Sequence, residues 1–348
     1  MTLQKIVLTH FRNFDQKVFA LSPSITVIIG QNARGKTNLL EAVHVAIHGV
    51  GFRESREEEL LSIGQTIASL QSRFINKDSF LDFQIYFKKH EDHFEKKYMV
   101  SKSKKTHSLY VRETPGAVLF SPEQIIFMTG APDIRRDYFN KLLSAFDPQY
   151  KKTLLNYENA LRKRNKLFEH IHDVGNLKSE LVFWNDYLLE QANYISGKRK
   201  VYLNFLNSNP RVDHKEFKIT YLQNEFSKKR LAEYFEKERW VRRTLIGPQK
   251  DDFLIEMKNE NDFKNLHHFG SRSEQRLALF WLKLNEVIYY ETILSRQPIL
   301  LLDDIFSELD HENKKLILNL ITKYQTIMTT TEEEILHLIK NPFVKIAL

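Results

Sequence analysis

The 348-residue sequence predicts an α/β fold in which a mixed-sheet core lobe is interrupted by a mainly helical second lobe. One β-branched run, Ile25-Thr26-Val27-Ile28-Ile29, has the pattern of a strand buried on both faces. A second apolar run, residues 298–302, ends in Asp303-Asp304 far along the chain. Between the two, residues 121–205 carry apolar positions at helical spacing, with Leu154, Leu155, Leu161 and Phe168 as examples.

The elements follow in order. Ile6-Val7-Leu8 and Val18-Phe19-Ala20-Leu21 read as short strands, Ser22-Pro23-Ser24 as a turn, and residues 25–29 as the buried strand. Leu39, Leu40, Val43, Ala46 and Ile47 then mark a helix that Gly49 terminates. Residues 67–112 contain alternating stretches such as residues 80–87, the signature of a half-exposed antiparallel sheet, and Pro115-Gly116 breaks the pattern. After the helical stretch, residues 216–256 mix short strands with a charged helix. From Ser271 a long helix carries Leu277, Phe280, Trp281, Leu284, Val287 and Ile288 on one face. The end reads strand, helix, strand: residues 299–302, the segment after His311, and residues 325–329. No heptad run is long enough for an extended coiled coil. These boundaries divide the chain into residues 1–118 and 276–348 of one lobe and residues 119–275 of the other.

Composition narrows the function classes. Hydrophobic residues at 42% and 25 Phe with 14 Tyr exclude a disordered chain. Zero cysteines exclude disulfides, thiolate-bound zinc, iron–sulfur clusters and a cysteine nucleophile. No apolar run reaches membrane-span length, and the start lacks a leader pattern, so the expectation is a cytoplasmic protein with no membrane partner. The net charge of +8 suits an anionic partner. Residues 151–245 hold 20 Lys+Arg against 12 Asp+Glu, which places that whole excess in the helical lobe. Contacts with an anionic partner are expected to include that lobe.

The chemistry-bearing segment is Gly30-Gln31-Asn32-Ala33-Arg34-Gly35-Lys36-Thr37, which fits G-x-x-x-x-G-K-[ST] between a buried strand and a helix. Inward-pointing loop amides and the helix N-terminus form a concave positive site for phosphate oxygens. Lys36 is expected on the β/γ-phosphates of ATP, and the Thr37 hydroxyl on Mg²⁺. An apolar strand ending in an acid places a carboxylate beside that metal. Asp303 is therefore expected to hold Mg²⁺, and Asp304 to orient or deprotonate the attacking water. Phe269-Gly270-Ser271-Arg272-Ser273-Glu274-Gln275-Arg276 opens the long helix before that strand. Ser271 and Glu274 form a capping box, and the segment's place also fits an ABC-type signature. There Ser271 and helix N-terminal amides complete the γ-phosphate site of another subunit. Ser307-Glu308-Leu309-Asp310 follows as a candidate D-loop. These features specify an ABC-type P-loop ATPase head.

Across nearly its whole length the chain resembles the RecF family of bacterial recombinational-repair ATPases, related to SMC-type heads. The resemblance is carried by Phe11-Arg12-Asn13-Phe14, residues 30–37 with Asn38-Leu39-Leu40-Glu41, and residues 120–124. It extends through Gly130-Ala131-Pro132, Arg135-Arg136, Arg164-Asn165, residues 247–252, 269–276 and 301–310, and Thr329-Thr330-Thr331. It implies a slow ATPase that dimerises around two nucleotides and clamps single-stranded or gapped DNA. RecR and RecO are the implied partners, in a pathway leading to RecA loading, replication restart and the SOS response. Arg12 resembles an arginine that related heads place near the nucleotide, with a plain surface salt bridge as the alternative, and Gln124 a Q-loop glutamine reaching Mg²⁺. Ala33 stands where such relatives carry glycine, and Ser273-Glu274 replaces a Gly-Gln pair. If position 33 needs positive φ, alanine costs loop stability.

Three rival readings carry less. A transporter-type ABC subunit does not suit the sheet of residues 67–112 or residues 248–252, and an SMC-like tether needs coiled-coil arms. A nuclease with an ATPase head needs a second acidic cluster. His90-Glu91-Asp92-His93 and His170-Ile171-His172-Asp173 lie in polar surroundings and read as solvated histidines.

Overall fold

The computed structural model describes the chain except residues 55, 78, 213, 261, 309 and 310 and the side chains of residues 308 and 311–313. The chain divides into two compact units, residues Met1–Gln124 with Leu282–Leu348, and residues Ile125–Trp281. Both borders lie six residues beyond those read from the sequence, and the second falls inside the continuous helix Arg272–Thr292.

The first unit holds two sheets. One is a five-stranded parallel sheet in the order Phe343–Ala347, Ile25–Ile29, Thr326–Thr330, Ile299–Asp303, Ala117–Phe120. Four of its strands, Ile25–Ile29, Ala117–Phe120, Ile299–Asp303 and Thr326–Thr330, are buried at every position, so periodicity 2 is invisible in them. The other is a six-stranded antiparallel sheet of Phe14–Ala20, Thr2–Phe11, Ile67–Asn76, Ser79–Lys89, Phe94–Val100 and Ser103–Lys105. Its alternating side chains, among them Leu70, Phe74, Phe83, Ile85 and Phe87, join the helix Lys36–His48 in one apolar core. Gly49 ends that helix at φ 72, with its N–H on the Val45 carbonyl. Each sheet satisfies its strands' backbone groups while that shared core buries their apolar faces.

The structure departs from the sequence reading in two places. Residues His107–Glu113 form a short helix, capped by the Thr106 hydroxyl accepting from Leu109 N at 3.3 Å, so the sheet stops at Lys105. Phe343–Ala347 is a fifth parallel strand beside Ile25–Ile29. Its half-exposed side chains lack the continuous apolar pattern of its neighbours.

The second unit packs the helices Pro132–Phe146, Pro148–His170, Val174–Ser208 and Lys228–Val241 with a four-stranded antiparallel sheet. Asp147 caps Pro148–His170 by accepting from Gln149 and Tyr150 N, and Asp173 caps Val174–Ser208 through Asn176 N.

Candidate functional site

The phosphate loop leaves the buried strand at Gly30 and enters the helix at Lys36. Two glycines are required by geometry. A Cβ at Gly30 would stand 2.4 Å from the Leu348 carbonyl oxygen, and Gly35 sits at φ 100 with the Asn13 amide 2.5 Å from its Cβ position. Ala33 also lies in the left-handed region, at φ 64, so it pays the conformational cost that glycine avoids. The Lys36 ammonium, 7% exposed, folds back over the loop, donating to the Gly30 carbonyl at 2.8 Å and the Gln31 carbonyl at 3.0 Å. In that position it closes the loop on itself.

The loop's helix and the neighbouring strand end at Thr329 converge on Asp303. The Thr37 hydroxyl donates to Asp303 Oδ1 at 3.0 Å, and the Thr329 hydroxyl donates to the same oxygen at 2.9 Å. Thr329 Oγ1 in turn accepts from the Asp304 N–H at 2.9 Å. Parallel pairing of Asp303 with Thr329 fixes this register. Asp304 is held at φ 47, and its buried Oδ1 has no hydrogen-bond partner. Burial pushes its carboxyl above the ordinary aspartate range. The Lys36 ammonium opposes that shift, while Asp303 and Glu332 add to it. A hydroxyl and a carboxylate side by side next to a phosphate loop, with a second carboxylate beside them whose Oδ1 has no partner, are the oxygen donors that Mg²⁺ takes. Gly30, Gln31, Asn32, Ala33, Arg34, Gly35, Lys36, Thr37, Asp303 and Asp304 all belong to the first unit.

Sequence reasoning missed Asn13 as a working residue. Its carbonyl accepts from the Asn38 amide at 2.8 Å and its amide reaches the Arg34 carbonyl at 3.5 Å, so it braces the loop from outside. Its place inside the Phe11-Arg12-Asn13-Phe14 segment was the available signal. Arg12, at φ 51, makes a two-pronged pair with the fully buried Glu41, at 2.8 and 3.0 Å. Glu41 also accepts from the Arg53 backbone at 3.2 Å. Gln124 accepts from Ser121 N at 3.2 Å and closes its own turn.

Ser271, in the second unit, makes the capping box. Its N–H donates to Glu274 Oε2 at 2.7 Å and its hydroxyl accepts from Glu274 N at 3.3 Å. Glu274 is further held by Lys264 at 2.6 Å. The candidate D-loop at Ser307 to Asp310 lies largely outside the described residues. His93 pairs with Asp92 at 2.7 Å, and no three metal-binding side chains converge among the described residues. No helix among the described residues is long and apolar enough to cross a membrane.

The segments Arg135-Arg136, Arg164-Asn165 and residues 247–252 meet in buried polar wiring of the second unit. Arg199 binds Asp251 at 2.5 Å, the Pro248 carbonyl at 3.0 Å and Asn140 at 2.9 Å, while Tyr221 donates to Asp251. Arg164 binds Glu238 at 2.8 Å and Thr244 at 2.7 Å, and Arg135 grips Asp252 through two nitrogens. These motif residues fix the helical unit's interior, since a buried guanidinium persists only where its donors are matched.

Comparison with known proteins agrees with this geometry. An AAA domain family model matches residues 5–340. The DNA replication and repair protein RecF of Oceanobacillus iheyensis is 30% identical, with 97% of this chain and 95% of that protein aligned. The RecF protein of Acetivibrio thermocellus is 31% identical over 96% of this chain and 94% of its own length. Among solved structures, the recombination mediator RecF with ATP, of the RecFOR pathway, superposes with a TM-score of 0.83 at 28% identity, covering 95% of this chain and 92% of that one. The Smc head domain of Pyrococcus furiosus, bound to the C-terminal domain of ScpA, shares the fold alone, at TM-score 0.52 and 18% identity, over 97% of this chain and 91% of that one. The phosphate loop, the acidic strand end and these matches lead to one conclusion: the chain belongs to the RecF family and carries the fold of an ABC-type ATPase head.

Proposed function

We propose that this chain is an ATP-gated, slowly hydrolysing DNA clamp of recombinational repair and replication restart, working as a dimer. The observation that carries the reading is the Thr37–Asp303 contact, which couples the loop's helix to the acidic strand. ATP with Mg²⁺, when bound, supplies the γ-phosphoryl group and the charge that the site must hold. Loop amides and Lys36 bind and neutralise phosphate oxygens, so the Lys36 ammonium leaves the carbonyls of Gly30 and Gln31. Thr37 and Asp303 present the metal-binding oxygens, and Thr329 holds the Asp303 carboxylate in place. Asp304 Oδ1, unpartnered and less acidic than an exposed aspartate, orients the attacking water and takes its proton.

Ser271 of a second copy completes each site across the dimer, so that bound ATP becomes part of the interface. Loss of the γ-phosphate releases the contact and with it the clamp. Single-stranded or gapped DNA is the substrate class, and RecR and RecO are the partners in a route that leads to RecA loading and the SOS response. The RecFOR context of the solved relatives supports this assignment.

The deciding experiment is DNA retention with and without ATP on single strands, duplex and gapped junctions, at two salt concentrations, for wild type and Lys36→Met. ATP-dependent retention in the wild type that Lys36→Met abolishes is the expected result. Equal DNA affinity with and without ATP in both proteins overturns the clamp. The salt slope counts phosphate contacts.

A further inference from the structure

The two long helices of the second unit, Pro148–His170 and Val174–Ser208, pair as an antiparallel hairpin that carries aromatic rings on its outer side. Phe183 is 63% exposed, and its ring stacks on Tyr187, 6.2 Å away and tilted by 19°. Trp184 and Tyr194 are half-buried on the same helix. Spacings of three and seven residues place Trp184, Tyr187 and Tyr194 along one helical face.

Cations stand over these rings. Lys163 Nζ lies 5.2 Å from the Trp184 ring centre, and Lys198 Nζ lies 5.3 Å from that of Tyr194. Lys198 is also paired with Asp147 at 2.8 Å, and Asp147 accepts from the Tyr194 hydroxyl at 3.0 Å, which anchors that end of the row. From Trp184 to Lys198 the row spans about 21 Å at about 1.5 Å per residue.

The exposed Phe183 ring, with half-buried rings beside it that carry lysines, is poor material for a protein interface core, where lysine is depleted. They suit a strand whose unpaired bases offer π-faces and whose phosphates meet ammonium groups. A duplex keeps its base faces covered and can use only the lysines. The surrounding segment, residues 151–245, holds all of the chain's net positive charge, with 20 Lys+Arg against 12 Asp+Glu.

We propose that the row of Phe183, Trp184, Tyr187 and Tyr194, with Lys163 and Lys198, is a stacking track for single-stranded nucleic acid. The assignment rests on the DNA-holding reading above and says which form of DNA this unit takes and by which contacts. Exposed Phe183 and half-buried Tyr187 supply the stacking faces, and the two lysines follow the backbone.

The test uses the full chain with ATP and fluorescence anisotropy of a labelled oligo(dT) and of a blunt duplex of equal length. The double variant Phe183→Ala/Tyr187→Ala is expected to lose about tenfold or more in oligo(dT) affinity, since each base–aromatic stack is worth about 1–3 kcal/mol. Duplex affinity is expected to hold, and Phe183→Tyr to keep wild-type behaviour. An unchanged melting temperature confirms that the two substitutions leave the fold intact. Oligo(dT) affinity equal to wild type in the double variant overturns the track and leaves the clamp standing. An equal loss on duplex, or a changed oligomeric state in sedimentation with DNA binding unaltered, also overturns it. A wild-type protein that binds no DNA with ATP overturns the clamp reading itself, and the track with it.

Discussion

Thr37 and Asp303, 266 positions apart, are joined by a 3.0 Å hydrogen bond, and Thr329 holds the same carboxylate oxygen at 2.9 Å. The first residues of the loop's helix and the tips of two parallel strands are thereby locked in one register. Chemistry at this site depends on that register.

Ala33 should be improvable. At φ 64 it holds a left-handed conformation that costs an L-residue about 1 kcal/mol relative to glycine. Ala33→Gly is expected to raise the melting temperature by about 2 °C, because the relief exceeds the added freedom of the unfolded chain. Differential scanning calorimetry decides it, and a lower melting temperature would show that the native loop tolerates the alanine freely.

Asp304→Asn should separate stability from turnover. Burial raises the folded-state pKa of Asp304 above its unfolded value of about 3.9, so the contribution is fully present below that pH and is lost as pH rises through the folded pKa. At neutral pH the wild type therefore carries a penalised charge that asparagine lacks. The variant is expected to be slightly more stable at pH 7, with the difference vanishing in acid. Its ATP turnover is expected to fall by about 10² or more, as for loss of a general base. Melting curves against pH and a phosphate-release assay check the two halves.

Ser271 caps its own helix, and mutation can part that task from the proposed one across a dimer. Ser271→Arg removes the hydroxyl cap and adds bulk, whereas Glu274→Ala breaks the same capping box without filling space. Each is expected to cost about 1 kcal/mol of stability. Only Ser271→Arg should stop ATP-dependent dimerisation, with ATP binding intact in both. Sedimentation velocity with ATP reads this directly, and a Ser271→Arg protein that still dimerises refutes the trans role.

His44 and His48 should make the first unit acid-sensitive. Their rings lie 4.6 Å apart, His44 Nδ1 donating to the Val50 carbonyl and His48 Nε2 to the Ala117 carbonyl. Burial lowers both, with His48 brought to about 4, and nearby Lys283 lowers both further. The unfolded chain therefore binds more protons below the usual histidine value of about 6.5. Stability is full above that pH and is lost as pH falls toward about 4, by roughly 3 kcal/mol for His48 alone. Because the Gln amide can replace the ring's donor, His48→Gln is expected to flatten the fall in melting temperature between pH 7 and 5. An unchanged slope would assign the acid response elsewhere.

The sequence revealed the site where chemistry demands local order. Residues 30–37 stand between a β-branched run and a helical pattern, and Asp303 ends an apolar run, so each could be read within its own segment. The brace from Asn13 could not, because it depends on Asn38 and Arg34 more than twenty positions away. Thr329 was visible only as part of a resemblance, since a threonine at a strand end announces nothing until pairing sets it beside Asp303. The helix His107–Glu113 was hidden in an alternating stretch, where the Thr106 cap outweighs a weak strand pattern. Phe343–Ala347 was hidden because an edge strand needs only one buried face, and its lysine and exposed valine blur even that.

Both neighbours of the strand Ile25–Ile29 come from the far part of the chain, Thr326–Thr330 on one side and Phe343–Ala347 on the other. During synthesis that strand leaves the ribosome early and then waits for roughly 300 further residues, on the order of 15–60 s at cellular translation rates. A polypeptide interrupted before residue 326 has a phosphate-loop sequence but no sheet to hold it. The fold of the phosphate loop is thus withheld from any fragment that stops short of the strand Thr326–Thr330.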